Sequence, residues 1–295
     1  MHEHDRGLQH DLRTLSRRRA LSMFGLAGAA VVAAGCANAA DDTSATASSG
    51  TGTPTAATPA AAPQETQGPY PADGSNGPNI LVESGVVRSD LTTSFGAYSG
   101  RAQGVPLTLT MTMRDLVRGA AGTGMAVYVW HCDREGRYSL YSEGVTEQNY
   151  LRGVQVAGDD GTVRFTSIFP ACYDGRWPHI HFEVYDDLAT AVAGNNARLT
   201  SQIALPQDVC EQVYAADAGY AASVPNLSRV SLSSDMVFGD GWDAELATVA
   251  GTPAGGLSAS ITVGVAAASE NTQAPGAPGG MPPGGGMPPS GRAPR

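Results

Sequence analysis

Lysine is absent from this chain of 295 residues, and arginine alone supplies its 18 basic side chains. With 28 acidic residues the formal net charge is −10, which excludes a general nucleic-acid binder because such proteins need cations to replace phosphate counterions. Charged residues make up only 16% of the chain, too few for a charge-laced coiled coil. No interior segment has 18 consecutive apolar residues, which excludes a protein with several membrane spans. The abundant glycine (37) and proline (19) favour β-structure with long irregular stretches.

The first 36 residues have the pattern of an export signal. Three consecutive arginines, Arg17 to Arg19, precede an uncharged stretch over 20–35 that is rich in alanine, valine and glycine. A basic flank followed by a short apolar run and small residues is typical of secretory signals, and the paired arginines resemble a twin-arginine signal. We therefore expect an exported, extracytoplasmic protein.

A lipid anchor is one way in which such a protein would be held outside the cell. Ala33-Ala34-Gly35-Cys36 resembles a lipoprotein cleavage box, although alanine at 33 stands where leucine is most common. Cleavage there would leave Cys36 as a lipidated first residue and the only link to a membrane. The alternative is an ordinary cleavage site with an incidental cysteine, which would give a secreted protein.

Composition divides the rest of the chain into three parts. Residues 37–64 contain no leucine, isoleucine, valine, methionine or aromatic residue, so they cannot bury enough apolar surface to offset the entropy lost on ordering. The last residues are dominated by proline and glycine, with methionine. We expect a signal over 1–36, a disordered tether over 37–64, one domain over 65–268 and a disordered tail over 269–295.

The domain has the periodicity of β-strands. From Pro106 to Arg114, leucine and methionine alternate with threonine, which predicts a half-buried strand. The turn signal Asp159-Asp160-Gly161 predicts a hairpin between strands over 151–156 and 162–169. These patterns indicate an antiparallel sandwich or barrel. Further strands are predicted over 125–130, 179–185, 199–205, 246–249 and 259–265, and one short helix over 208–216.

Three of the six histidines, His131, His179 and His181, lie beyond the signal. The strand period of two places His179 and His181 on one face, where they would offer two nitrogen ligands to a metal or form a hydrogen-bonded structural pair. No nearby carboxylate completes a ligand set with them, and the absence of a Cys-x-x-Cys motif argues against a structural zinc cluster. We expect His131 to be structural.

Tyrosines surround the histidine pair, and here a family resemblance emerges over residues 65–205. The chain resembles the intradiol ring-cleaving dioxygenases of the catechol and protocatechuate type. The matching segments are Glu65-Thr66-Gln67-Gly68-Pro69-Tyr70, Gly136-Arg137-Tyr138-Ser139, Leu151-Arg152-Gly153, Asp160-Gly161-Thr162-Val163-Arg164-Phe165, Ile168-Phe169-Pro170-Ala171-Cys172-Tyr173 and Arg176-Trp177-Pro178-His179-Ile180-His181-Phe182.

The resemblance implies an all-β fold, an antiparallel β-sandwich with long loops, that holds a non-haem Fe(III) ion. Its ligands would be Tyr138, Tyr173, His179 and His181. Phenolate oxygens suit a hard trication, and two phenolates plus one hydroxide would bring the buried centre to neutrality. The implied substrates are a small aromatic diol and O2. In the implied reaction the ring opens between the two hydroxylated carbons and gives a muconate-type diacid.

The same resemblance implies catalytic roles for three residues. Tyr173 would leave the metal and accept a substrate proton, and Arg176 would stabilise the electron-rich substrate. Gln202 would lie on the O2 side, although an apparent loop insertion over 186–197 precedes its strand. A surface charge at the end of a strand is the alternative interpretation of Arg176.

Two other classes of function remain open. One is a lipid-tethered β-sandwich that binds a ligand without catalysis. The other is a different metal enzyme, such as an Fe(II) oxygenase or a zinc hydrolase, against which Tyr138 and Tyr173 argue because such sites use a carboxylate or a third histidine. The sequence does not fix the catechol, the oligomeric state or any disulfide among Cys132, Cys172 and Cys210.

Overall fold

The computed structural model describes residues 59–194 and 196–270. The predicted signal, Cys36, most of the tether and almost all of the predicted tail lie outside these residues. Within them, no helix is long and apolar enough to cross a membrane. The strands are β1 (Pro106–Asp115), β2 (Ala120–Ala121), β3 (Ala126–Trp130), β4 (Arg152–Val156), β5 (Thr162–Ile168), β6 (His179–Tyr185), β7 (Leu199–Ala204), β8 (Thr248–Thr252) and β9 (Gly256–Val265). The α-helices are α1 (Leu188–Val192), α2 (Gln207–Ala216) and α3 (Ser223–Leu227), and short 3-10 turns lie at Ala218–Tyr220, Leu232–Ser234 and Phe238–Asp240.

Four strands form an antiparallel sheet in the order β4-β3-β6-β7, which we call the site sheet. All residues of β3, β6 and β7 are buried. The register places His181 of β6 between Trp130 of β3 and Gln202 of β7. Because side chains alternate along a strand, these three lie on one face, which we call the site face, while Ile180 and Phe182 point into the apolar core.

The second sheet is built around β1. Strand β9 lies on one side of β1 with β8 beyond it, and β5 and the short β2 pair with β1 on its other side. Buried and part-exposed residues alternate along β1, as the leucine, methionine and threonine pattern predicts. Residues of both sheets belong to one hydrophobic core, so the predicted all-β sandwich is confirmed.

Two details of the predicted sandwich are wrong. The β1–β9 pair is parallel, with Leu107 opposite Leu257, because β9 returns to β1 through a long connection and is free to run in either direction. The segments around Asp159-Asp160-Gly161 do not form a hairpin, since β4 pairs with β3 and β5 pairs with β1. The turn instead carries the chain from one sheet to the other.

Gly161 is the residue that makes this crossing between sheets tight. Its φ is +81°, and its carbonyl accepts a hydrogen bond from Met113 N at 2.8 Å. A Cβ at this position would lie 2.4 Å from the Met113 carbonyl oxygen, far inside van der Waals contact. Only glycine therefore fits the turn without a shift of backbone.

An extended segment over 61–72, which we call the strap, crosses the site face. Its backbone is fixed by Ala62 N, which donates to Gly264 O at 2.9 Å, and by Glu65 N, which donates to Thr200 O at 2.7 Å. Further along, the Tyr128 hydroxyl donates to Pro71 O at 2.7 Å. The strap covers polar side chains of the site sheet and so explains why that sheet is buried on both faces.

Candidate metal centre

Two tyrosines and two histidines converge on the site face. The Tyr173 hydroxyl lies 3.1 Å from His179 Nε2, which in turn lies 3.1 Å from His181 Nε2. The Tyr138 ring is 6.0 Å from the Tyr173 ring and 6.2 Å from the His181 ring, both edge-on. The structure therefore brings together all four residues that the resemblance implies as ligands.

Each tyrosine is carried on a loop with a defined shape. Tyr138 follows a turn in which Asp133 Oδ1 accepts from the backbone N–H groups of Glu135 and Arg137, at 3.0 and 2.9 Å. Gly136 in that turn has φ +84°, and a Cβ there would lie 3.3 Å from the Cβ of Tyr173. The two tyrosine loops are thus packed against each other at a glycine.

Arg152 holds Ser139, the residue that follows Tyr138 in its loop. Its guanidinium is fully buried and donates to Ser139 O at 3.0 Å and to Ser139 Oγ at 3.1 Å. It also donates to Tyr70 O of the strap at 2.8 Å. One side chain of the site sheet therefore ties the Tyr138 loop and the strap together.

The hydrogen bonds of His179 fix which of its ring nitrogens is available. Nδ1 lies 2.5 Å from the Trp177 carbonyl oxygen, which can only accept, so Nδ1 carries the proton. Burial lowers the pKa of His179 and keeps the ring neutral, with the positive charge of Arg176 adding to the effect. Nε2 then presents a lone pair to the centre, as a metal-ligating histidine does.

Two buried polar atoms of the set lack partners among the described residues, Tyr138 Oη and His181 Nδ1. Burial raises the pKa of Tyr138 well above its usual value, with the neighbouring Tyr173 adding to the rise. An unsatisfied buried hydroxyl is costly unless something absent from the protein pairs with it. A hard cation would be coordinated by Tyr138 Oη and would favour its anionic form. The residues therefore fit Fe(III).

The donor set contains few of the usual metal-binding side chains. Among residues 59–194 and 196–270, no three histidine, cysteine, aspartate or glutamate side chains cluster in a way that would hold a metal. Four candidate ligands are present only when the two tyrosine phenols are counted with the two histidines. The set is therefore poor for zinc or for an Fe(II) site with a carboxylate, and rich in the hard oxygen donors that ferric iron prefers.

Aromatic rings and the strap enclose the histidines. The Trp130 ring stacks on His181, with centroids 5.0 Å apart and an interplanar angle of 5°. On the strap, a Cβ at Gly68 would lie 3.2 Å from His181 Cε1, so glycine allows a close approach there. The Tyr70 ring lies 4.9 Å from the ring of Tyr138.

Arg176 lies inside the protein, which excludes the interpretation as a surface charge. Its Nε donates to Asp235 Oδ2 at 3.0 Å, and its Nη2 donates to Gln202 Oε1 at 2.8 Å. Gln202 stands opposite His181, and its Nε2 donates to Thr66 O of the strap at 2.9 Å. The three residues with implied catalytic roles thus border one site: Tyr173, Arg176 and Gln202.

The histidine and tyrosines that we did not expect to be ligands have other partners. His131 contacts Ser167 Oγ at 2.7 Å and Cys132 O at 2.8 Å, and burial lowers its pKa to about 4. The Tyr150 hydroxyl donates to Asp133 at 3.0 Å, and the Tyr141 hydroxyl accepts from Ala72 N at 2.9 Å. The three cysteines whose pairing the sequence left open are buried and free: Cys132, Cys172 and Cys210.

Sequence reasoning missed two residues of the site's surroundings. Arg152 stood in one of the matching segments, and a lone arginine on a buried strand was the signal that could have found it. Asp235 carried no signal, because it lies in an irregular segment 59 residues from its partner Arg176.

Comparison with known proteins gives the class of this fold and site. Residues 76–226, half of the chain, match the family model described as Dioxygenase (Dioxygenase_C). An intradiol ring-cleavage dioxygenase from Tetranychus urticae superposes with a TM-score of 0.55 at 20% identity, over 70% of this chain and 95% of that one, which shows a shared fold. The chlorocatechol 1,2-dioxygenase of Rhodococcus opacus is 37% identical over 68 residues, 23% of this chain and 26% of that enzyme.

The class is therefore a dioxygenase. The chain belongs to the dioxygenase family that this model describes, and it shares its fold with an intradiol ring-cleavage dioxygenase. The aligned segment spans about a quarter of the curated relative's length.

Proposed function

We propose that this protein is a non-haem Fe(III) dioxygenase that cleaves a small aromatic diol between its two hydroxylated carbons. One observation carries the proposal: Tyr138, Tyr173, His179 and His181 face each other, with a lone pair on His179 and an unpartnered hydroxyl on Tyr138. These four residues would hold the metal.

Ferric iron, when bound there, would supply the Lewis acidity that activates the diol toward O2. Tyr173 Oη, which lies 3.1 Å from His179 Nε2, would accept one of the protons of the diol. Arg176 would donate hydrogen bonds to the electron-rich diol, and Gln202 would border the O2 side. The strap and Trp130 would exclude water, which strengthens these interactions.

The proposed reaction is balanced without another reductant. The carbon–carbon bond between the two hydroxylated carbons breaks, and one oxygen atom of O2 is added at each of these carbons. The diacid product therefore contains all the atoms of the diol and both atoms of one O2 molecule. The diol supplies the electrons that reduce O2, so no other co-reactant is consumed.

The binding test uses protein loaded with Fe(III) and visible absorption. Phenolate bound to ferric iron absorbs in the visible range, so loaded protein is expected to be coloured and to change colour when catechol is added without oxygen. Tyr138→Phe and Tyr173→Phe should each weaken the band. Tyr185→Phe is the matched control, because its buried hydroxyl donates to Glu183 at the opposite end of β6 from His179.

The activity test measures oxygen uptake and the product of catechol, hydroxyquinol and protocatechuate. A muconate-type diacid carrying two atoms from labelled O2 is the expected product. Protein that stays colourless after iron loading and consumes no oxygen would contradict the proposal. It would then favour the non-catalytic binding sandwich.

We also propose that the protein acts outside the cytoplasm, anchored by a lipid on Cys36 or secreted. The support is the pattern of Arg17 to Cys36 described above. Cell fractionation tests it: a Cys36→Ser variant should leave the membrane fraction if the anchor exists. Wild-type protein retained in the cytoplasm would contradict export, whatever its activity.

A further inference from the structure

Asp235 lies in the irregular segment between the 3-10 turns Leu232–Ser234 and Phe238–Asp240. It is outside residues 76–226, the part of the chain that matches the family model. The segment is nevertheless packed into the protein, because Val237 and Phe238 form a small apolar cluster with Trp177. Asp235 is therefore held against the loop that carries Tyr173 and Arg176.

The carboxylate of Asp235 is surrounded by donors. Oδ2 accepts from Arg176 Nε at 3.0 Å and from Trp177 N at 2.7 Å. Oδ1 accepts from Val237 N at 2.9 Å and, at 3.4 Å, from Arg176 Nη2. Burial disfavours the charge, but Arg176 and these N–H groups outweigh it and lower the pKa of Asp235.

The guanidinium of Arg176 is thus fixed on two sides. Asp235 contacts its Nε and Nη2, and Gln202 accepts from Nη2 at 2.8 Å. A planar guanidinium with two such partners has little freedom to rotate. Gln202 stands opposite His181 in the site sheet, so the guanidinium is held beside the candidate metal centre.

The same carboxylate is also linked to His179 through one residue, Trp177. Trp177 N donates to Asp235, and the carbonyl of Trp177 accepts from His179 Nδ1 at 2.5 Å. Asp235 therefore orients Arg176 directly and His179 through Trp177. Both side chains of the Arg176–Asp235 ion pair are buried, so water does little to screen their attraction.

We propose that Asp235 is a positioning residue of the ring cleavage: it holds the Arg176 guanidinium toward the bound diol and supplies its counter-charge. This inference rests on the proposed function. Without the carboxylate, the arginine would be a buried, uncompensated cation and would move to find another partner. The diol would then lose hydrogen bonds that are strongest when the ring carries most charge.

The first test compares Asp235→Asn with Asp115→Asn in iron-loaded protein. Asp115 is a matched control in the second sheet, because it is buried and accepts from Arg198 Nη2 at 2.8 Å and from Val117 N at 3.0 Å. We expect Asp235→Asn to lower kcat for catechol about 100-fold, with a smaller change in KM and unchanged iron content. Asp115→Asn should lower stability but leave kcat within about 3-fold.

The second test is independent of iron and of activity. In protein labelled with 15N-arginine, the Nε–H resonance of Arg176, assigned with Arg176→Lys, reports its partner. Asp235→Asn should shift or broaden this resonance, whereas Asp115→Asn should instead perturb Arg198. If Asp235→Asn does not fold, Asp235→Glu carries both tests, since it keeps the charge but displaces the guanidinium by about one methylene.

Three results would overturn the inference. The first is a kcat of Asp235→Asn within about 3-fold of wild type, and the second is an unmoved Arg176 resonance. The third is equal loss of iron and activity in both variants, which would make Asp235 a purely structural residue. Wild-type protein that binds iron but cleaves no diol would contradict the proposed function itself, and the resonance would still show whether Asp235 holds Arg176.

Discussion

The two sheets of this protein use the same kind of strand for different purposes. In the second sheet, β1 alternates between buried and part-exposed residues, so one face meets the core and the other meets solvent. In the site sheet, every residue of β3, β6 and β7 is buried. The difference shows that the site sheet needs a cover on its second face, and the strap provides it.

The cover lets the site sheet bury polar groups at little cost. Arg152, Glu183 and Gln202 all lie under or beside the strap, and each has hydrogen-bond partners. A buried polar group without a partner would cost free energy, so the partners are what make the face usable. The unpartnered hydroxyl of Tyr138 marks the place where the described residues leave room for something else.

The largest difference between the sheets should appear when histidines are replaced. His181→Gln removes a candidate ligand from the site face, and we expect iron binding and ring cleavage to fall to background. His131→Gln is the control, since His131 contacts Ser167 of the second sheet, and it should retain both at a cost of about 1 kcal/mol in stability. Iron content and oxygen uptake decide between them, and equal loss in both variants would contradict the assignment.

The crossing between the sheets should be sensitive to a single methyl group. Gly161→Ala is expected to lower the free energy of unfolding by about 3 kcal/mol, because its Cβ would collide with the Met113 carbonyl at positive φ. Gly119→Ala is the control, with φ +62° but open space around its Cβ, and should cost about 1 kcal/mol. Urea denaturation measures both, and similar midpoints would show that the crossing is not tight.

Replacing one buried aromatic residue in each sheet should distinguish an effect on stability from an effect on activity. Trp130→Leu and Phe165→Leu each shorten a buried side chain and should each cost about 2 kcal/mol. Only Trp130 stacks on a candidate ligand, so only Trp130→Leu should lower kcat. Thermal melts and steady-state rates on the same samples make the comparison, and a matching kcat loss in Phe165→Leu would refute it.

The core-facing side of the site sheet carries its own pH dependence. Burial, and the nearby charge of Glu65, raise the pKa of Glu245 from 4.5 to about 9. The folded protein keeps a proton there that the unfolded chain releases, so this contribution to stability falls as pH rises from about 4.5 to about 9. Glu245→Gln should flatten the pH dependence, whereas the exposed Glu147→Gln should not. Urea midpoints at pH 6 and pH 8.5 test this.

The smallest effect on stability is expected from an exposed ion pair at the loop that carries Tyr173 and Arg176. Arg229 donates to Asp174 at 2.9 Å, with both side chains more than half exposed. Arg229→Ala should change stability by about 0.5 kcal/mol or less, in contrast to the buried pair of Arg176 and Asp235. A stability loss as large as that of Asp235→Asn would show that burial does not separate the two pairs.

Much of the site was predictable because its residues are close in sequence. The strand period places His179 and His181 on one face, and the segments that resemble the family include both tyrosines. Part of the strap belongs to those segments, but nothing in a sequence shows that it lies over His181. Asp235 was not predictable, because its contact with Arg176 depends on how an irregular segment packs against Trp177.

The fold was predictable strand by strand but not in its pairing. Alternating residues predict β1 and β6, and a compact apolar run predicts β3. A turn signal such as Asp159-Asp160-Gly161 shows where the chain reverses, but not whether the next strand joins the same sheet. The parallel pairing of β1 with β9 likewise depends on distant residues that no local pattern connects.

That pairing has a consequence for the order in which the protein is made. Because Leu107 pairs with Leu257, the ribosome makes β1, the site sheet and all four candidate ligands long before β9, the parallel partner of β1. Until then β1 has an open edge, which is a hazard for association with other chains. Folding dominated by such distant contacts is slow. We therefore expect the domain to fold only after synthesis of β9, whose Gly264 also accepts the hydrogen bond from Ala62 N that fixes the start of the strap.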